Sequence, residues 1–281
     1  MSTADTILQK ESLLVIKIGG NIIDHPAKLQ QFLQDFAVIK AKKILVHGGG
    51  KIATQLAKDL GMEQEMVDGR RITDAETLKI VTMVYAGLIN KGVVAQLQAI
   101  GNNAMGFCGA DANLIQAHKR LPNASNAIDY GFVGDIDKVN TAAIEPLLEQ
   151  GISIVIAPIT HDGAGQLLNT NADTIAQSIA TALAKDYQVS LLYCFEKSGV
   201  LLDANDDNTV IASINPEYYT SLKSQQLIFA GMIPKLDNAF TAINNGVSKV
   251  IIGKAQSIQD LVAGIAGTTL QTNTNTHEQQ K

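Results

Sequence analysis

Residues 13–20 read LLVIKIGG, with four apolar residues leading into Lys17, one more at Ile18, and two glycines closing the run. A short uninterrupted apolar run ended by glycine is the pattern of a strand buried on both faces of a parallel sheet. Open α/β sheets leave a ligand crevice beyond the carboxyl ends of such strands. Lys17 lies one step before that end, beside glycines that let a ligand approach the backbone, an arrangement suited to a polyphosphate. Taken alone, the same lysine reads as well as a snorkelling side chain on an edge strand.

Outward from this stretch, strand-like runs alternate with helical patterns. A helix is expected around 28–40, a strand at KILV, and a helix over 51–60, which predicts βαβ units and a mostly parallel sheet. Residues 62–73 break the rhythm as a short β excursion. TDAE then matches a capping box with Thr73 as N-cap and Glu76 as its partner. The helix it opens, TLKIVTMVYAGLINK, is apolar on more than one side, which fits a buried helix or a subunit interface. Further on, 152–159 (ISIVIAPI) reads as one buried strand and HDGAGQLLN as a hairpin. A helix at 172–185, a strand at 189–194 and a turn at DANDDN follow. NPEYYTSLKS and PKLDNAFTAINNG read as two more helices, the second stopped by Asn245-Gly246, and SKVIIG as a last strand. The polar tail over 268–281 is expected to be disordered. With no repeat and no long linker, residues 13–267 read as one domain built on one sheet.

The chain has 281 residues, enough for a large core, with 22 basic against 27 acidic side chains and a net charge of −5. That balance argues against a nucleic-acid partner, whose phosphate backbone needs a positive surface. No apolar stretch approaches the ~20 residues of a membrane span, and the first residues lack a signal-peptide layout. Cys108 and Cys194 are far apart and form no CxxC, as expected of a reduced cytoplasmic chain. The five histidines show no metal-ligand spacing, so no protein-held metal is expected.

Four further stretches carry chemistry. HGGG at 47–50 stands directly before a helix, where glycine amides at a helix N-terminus bind anions without a charged side chain. The same letters fit a weak dinucleotide fingerprint, a hydrolase oxyanion loop or a plain tight turn, but no acid-ended strand and no GxSxG elbow accompany them. DGRRIT offers Arg70 and Arg71 on opposite faces of a strand, so one of them faces the crevice as a fork for a carboxylate. LLNTNADT places Asn169, Asn171 and Asp173 at a helix entry, where a cap is one role and an aspartate orienting lysines another. GMIPK puts Lys235 in a first helical turn, against the helix dipole, which makes sense with a polyanion in front of it.

In this order and spacing, Lys17 with Gly19-Gly20, HGGG, GRRIT, NTNAD and GMIPK resemble the amino acid kinase superfamily, and within it the acetylglutamate kinases. The resemblance covers roughly residues 13–266. It implies a three-layer αβα sandwich with a mainly parallel central sheet. It also implies a lobe over about 13–185 that binds acyl-glutamate and dimerises, and a lobe over about 186–267 that binds ATP. Carried over residue by residue, Lys17 and Lys235 stabilise the transferring phosphoryl group and Asp173 organises them. Gly49 and Gly50 bind substrate, while Arg71 and Asn169 hold its α-carboxylate and neighbouring polar atoms. Gly19, Gly20, Glu196, Lys197, Ser198 and Gly199 fall to the nucleotide. CFEKSGV departs from the pattern, with Glu196 in place of the usual acid and Lys197 added. The implied reaction is ATP-dependent phosphorylation of the γ-carboxylate of N-acetyl-L-glutamate, with Mg²⁺, in arginine biosynthesis.

The chemistry agrees, because a γ-carboxylate is already ionised at pH 7 and needs no general base. Rival readings are a relative acting on another acid or nucleotide, and a silent amino-acid-binding regulator on the same fold. An N-succinyl substrate is the second choice behind N-acetyl, because its candidate cations are Arg70, which alternation turns away from the pocket of Arg71, and Lys91, which reads equally as solvated. Arginine-inhibited relatives carry a longer N-terminal helix, and the short segment before Leu13 predicts a homodimer without strong arginine feedback.

Overall fold

A computed structural model describes residues 10–67, 70–122, 127–203, 205–228 and 232–272. The opening apolar run becomes β1 (Ser12–Ile18), and the glycines lead into a single helical turn, α1 (Gly20–Ile23). Helix α2 (Pro26–Val38) has proline in its first turn, where a missing N–H costs nothing, and buries Leu29, Phe32, Leu33 and Phe36 along one stripe. Strand β2 (Lys42–His47) passes through the glycines into α3 (Gly50–Asp59). The β excursion is a pair of two-residue antiparallel strands, β3 (Met66–Val67) and β4 (Arg70–Arg71).

The helix after it differs from the expectation at both ends of its description. Its N-cap is Asp74, whose side chain accepts from Thr77 N at 2.7 Å. Thr73 is instead extended, exchanging backbone bonds with Tyr130 and Phe132 at 2.9 and 2.7 Å, so the cap falls one residue later. Helix α4 (Ala75–Thr82) runs through a π-helical segment, Met83–Ile89, into α5 (Asn90–Ala99). The whole helix, Ala75–Ala99, is 25 residues and long and apolar enough for a membrane span, which corrects the reading that no stretch approaches that length. Its inward face, including Val81, Val84, Val93 and Leu97, is buried in the protein's own core.

The chain continues through β5 (Ala104–Phe107), β6 (Ile115–Lys119), β7 (Gly134–Val139) and α6 (Thr141–Glu149). Residues 152–159 are not one strand. β8 (Ser153–Ile156) ends before Pro158, which lacks the N–H a ladder needs, and β9 (Ile159–His161) begins in a second sheet. β10 (Leu167–Asn169) pairs antiparallel with β9, and α7 (Ala172–Leu183) follows. The last part holds β11 (Gln188–Phe195), β12 (Ser213–Ile214), α8 (Pro216–Ser224), α9 (Ile233–Asn244), β13 (Lys249–Lys254), α10 (Ile258–Ala263) and β14 (Thr268–Leu270). β14 corrects the expected disorder from residue 268, because Thr268 and Leu270 are buried against β13 and complete its ladder. Residues 273–281 lie outside the described residues.

The main sheet has the order β12-β14-β13-β11-β1-β2-β8-β5, with β13–β14 its antiparallel pair. Helices cover both faces. Leu13 and Val15 pack with α6, α7, α8 and α9, while Leu14, Ile16 and Ile18 pack with α2, the long helix and α10. This is the three-layer αβα sandwich expected. β1 leads to β2 on one side, and its other neighbour, β11, leads away to β13. Chain order therefore reverses beside β1, and ligand crevices open beyond strand ends at such a point.

Candidate active site

Parity along β1 decides what Lys17 faces. Side chains alternate across a strand, so Lys17 shares the face of Leu13 and Val15, the side covered by α7 and α9. α7 starts where the side chain of Asn171 accepts from Asp173 N at 2.8 Å and Thr174 N at 3.2 Å. That cap leaves Asp173 in the first turn, with Oδ1 2.8 Å from Lys17 Nζ. The contact is a part-buried ion pair.

Lys235 enters from the first turn of α9, and its Nζ lies 4.2 Å from the centroid of the Phe195 ring. Burial lowers its pKa; Asp173 pulls it back up and Lys17 pushes it further down. The two lysines and the aspartate therefore share one field. Gly231, which begins the GMIPK motif, lies outside the described residues.

The glycines sit against this cluster. A Cβ on Gly19 would stand 3.9 Å from Lys17 Nζ. Gly48 N donates to Ile18 O at 3.1 Å, which ties the turn after β2 to the turn after β1. At Gly49 a Cβ would come within 2.3 Å of Ile89 Cδ1, so the turn has no room for a side chain. α3 begins at Gly50 with no side-chain cap, leaving its first amides for an anion. Asp24 lies under Gly20, both carboxylate oxygens buried without a hydrogen-bond donor among the described residues, and burial raises its pKa. Lys51 Nζ is 3.8 Å from it.

Arg71 is buried while Arg70 is exposed, as alternation required. Arg71 Nη2 donates to Gly50 O at 2.9 Å and Thr54 Oγ1 at 2.8 Å, and Nη1 donates to Gln64. Among the described residues these partners are neutral oxygens. Asn169 Nδ2 donates to Thr73 Oγ1 at 3.0 Å, and that hydroxyl donates to Arg71 O at 3.2 Å. Arg71, Asn169 and the HGGG turn thus form one connected group. Lys91 is committed elsewhere, donating to Gly106 O at 2.7 Å.

Glu196 to Gly199 form the bend leaving β11, directly after Phe195. Glu196 and Lys197 are exposed, and Ser198 Oγ donates to Asp207 Oδ2 at 3.2 Å. Gly199 is buried for a packing reason, since a Cβ there would lie 2.7 Å from Thr268 Oγ1. A cavity of about 310 Å³ at the opposite ends of β2 and β8 includes Lys42 and Lys43 in its lining. Those lysines are already engaged, Lys42 by Glu11 and Glu149 and Lys43 by the carbonyls of Phe36, Ala37 and Ile39.

Sequence reading passed over Phe195, Gln64, Thr54 and Asn90. Phe195 lay within CFEKSGV, the stretch that departs from the family pattern; the other three carry no local signal.

Two lysines across a carboxylate, beside two glycine turns and an arginine fork, suit transfer between anions. The profile of the amino acid kinase family matches residues 12–254. The chain belongs to that family. Among relatives of this amino acid kinase, the acetylglutamate kinase of Cytophaga hutchinsonii is 59% identical over 252 residues, covering 90% of this chain and 95% of that one. The acetylglutamate kinase of Phocaeicola vulgatus is 55% identical over 251 residues, covering 89% and 96%. The fold is also that of the N-acetylglutamate synthase of Neisseria gonorrhoeae complexed with coenzyme A and L-arginine, at a TM-score of 0.74 and 20% identity. That match covers 94% of this kinase and 62% of the synthase chain.

Proposed function

We propose that the chain transfers the γ-phosphoryl group of ATP to the γ-carboxylate of N-acetyl-L-glutamate, giving N-acetyl-L-glutamyl 5-phosphate and ADP, as a step of arginine biosynthesis. The observation that carries this reading is the Lys17–Asp173 ion pair beside Lys235, with the HGGG turn linking it to Arg71. A γ-carboxylate oxygen attacks the γ-phosphorus while the bond to the β,γ-bridging oxygen breaks, and ADP carries that electron pair away. Nothing must be deprotonated. The work is to align two anions and neutralise charge that spreads over the transferring group.

Lys17 and Lys235 supply that charge from either side, and Asp173 keeps two like charges close together. The amides of Gly49 and Gly50 meet the phosphoryl oxygens. Arg71 and Asn169 hold the α-carboxylate and neighbouring polar atoms of the substrate. Gly19 and Gly20 border the phosphates, and the bend from Glu196 to Gly199 faces the nucleotide. Among the described residues no cluster of His, Cys, Asp and Glu could hold a metal, so Mg²⁺ would come with the nucleotide and would supply further charge neutralisation.

The chain acts as a cytoplasmic homodimer in this reading. Both cysteines are free. Met83 and Leu88, 54% and 64% exposed on the long apolar helix, form the face that a second copy covers. Light scattering at several concentrations tests that assembly, and a monomer or hexamer would refute it. The activity is tested by ATP-dependent acyl-phosphate formation, trapped with hydroxylamine, across glutamate and its N-acyl derivatives. Turnover on another acceptor, with none on N-acetyl-L-glutamate, would overturn the reading.

A further inference from the structure

We propose that His47 and Asn90 are positioning residues that hold the HGGG turn in its working shape from behind, on a platform made by the π-helical segment Met83–Ile89. The inference rests on the phosphoryl-transfer reading and adds to it the residues that aim the glycine amides.

Parity again sets the stage. Ile44 and Val46 pack on the α7 side of the sheet and Leu45 on the other, so His47 points with Leu45 toward the long helix. It is fully buried, at 0% exposure. Its Nδ1 lies 2.8 Å from Gly48 O, and a carbonyl only accepts, so Nδ1 carries the proton. Nε2 is then an acceptor, and Asn90 Nδ2 stands 3.3 Å away as its donor. The Asn90 amide also donates to Val155 O at 3.1 Å, while Asn90 Oδ1 accepts from Lys91 Nζ at 3.2 Å. Each partner fixes the next. The ring is held in one tautomer and orientation by β8 and by the first residue of α5. Burial pushes the imidazole pKa down to about 4, which keeps this pattern neutral at ordinary pH.

The π segment explains how one helix reaches three successive parts of the turn. In an α-helix, five residues on from Tyr85 would swing Asn90 about 140° around the axis. Bonding from i to i+5 widens the turn and brings those two positions back toward one line. Asn90 meets His47, Ile89 Cδ1 occupies the place a Cβ on Gly49 would need, and the Tyr85 hydroxyl lies 4.0 Å from that place on Gly50. Gly106 clears space for the asparagine, since a Cβ there would stand 2.0 Å from Asn90 Oδ1. A π turn is strained relative to an α turn and is found often at functional sites. Here it seats the loop rather than touching the substrate.

The test compares His47→Asn, which keeps an N–H where Nδ1 stood, with His47→Gln, whose amide reaches only the place of Nε2. In the full chain, His47→Gln should lose about 10-fold or more in kcat for trapped acyl phosphate, as a displaced loop would cause. Its KM for the acyl-glutamate should stay within about 3-fold, since Arg71 and Asn169 still hold the α-carboxylate and its neighbours. His47→Asn should recover most of the turnover at a similar melting temperature. Equal loss in both variants, with matching falls in melting temperature, would reduce His47 to a space-filler and overturn the proposal, as would full activity in both. Independently of turnover, two-bond ¹H–¹⁵N spectra of the wild-type chain should show the Nδ1–H tautomer, and an Nε2–H tautomer would overturn the assignment. A wild-type chain that makes no acyl phosphate defeats the kinase reading alone, and the tautomer still decides the hydrogen-bond pattern.

Discussion

Lys235 Nζ sits 4.2 Å from the centroid of the Phe195 ring, closer than any other cation–ring contact among the described residues. The ring favours the ammonium while burial opposes it. Replacing Phe195 with leucine removes the favourable part and leaves the burial. The alkaline limb of the kcat profile should therefore move to lower pH, with turnover reduced several-fold, whereas Phe195→Tyr should stay near wild type. An unmoved limb in Phe195→Leu would show that the ring does not hold the charge.

Lys17→Ala and Lys235→Ala should each cut kcat by about 10²-fold or more, with a smaller change in acyl-glutamate binding. In the proposed mechanism both lysines meet charge that grows during transfer, so their loss is expected in kcat. Steady-state kinetics at saturating ATP decide this. Near-normal turnover would remove that lysine from the mechanism.

Arg71→Ala should mainly raise the KM for the acylated amino acid, because in the proposed reading its fork, tied to Gly50 O, holds the α-carboxylate. A change confined to the KM for ATP would reverse the assignment of the two halves. The same cleft bears on the acyl group. Arg70 is exposed on the strand face opposite Arg71, and Lys91 directs two of its three N–H groups to Gly106 O and Asn90 Oδ1. The ratio of kcat/KM should therefore favour N-acetyl- over N-succinyl-L-glutamate, and a ten-fold preference the other way, ~1.4 kcal/mol, would overturn that.

His47 makes stability depend on pH. Its folded pKa of about 4 lies below the unfolded value of 6.5, so the unfolded chain takes the proton first as pH falls. Its contribution is intact above pH 6.5 and is lost progressively down to about pH 4, by roughly 3 kcal/mol in all. Denaturant midpoints for wild type and His47→Asn across that window isolate the effect from the carboxylates. Parallel curves would assign the histidine no part in it.

Gly199→Ala should destabilise the chain by about 1–3 kcal/mol, since the new methyl would meet Thr268 Oγ1 at 2.7 Å and Val210 Cγ1 at 2.9 Å. Chemical denaturation measures this. A raised KM for ATP at unchanged stability would instead make the glycine a nucleotide contact.

Burial on both faces leaves local apolar runs, so most strands of the main sheet were legible along the chain, while the three layers came with the resemblance to the amino acid kinase family. The sequence by itself also placed Lys17, Asp173, Arg71 and Lys235 as charged residues at strand ends and helix starts, where capping or solvation rarely explains four at once. The tertiary structure alone decided the rest. Pro158 divides what looks like one strand between two sheets, and Thr268–Leu270 becomes a strand only because β13 offers it an edge. The His47–Asn90 pair and the ring under Lys235 join residues 43 and 40 positions apart through space. Such contacts arise from packing between distant segments, and no periodicity or cap along the chain records them.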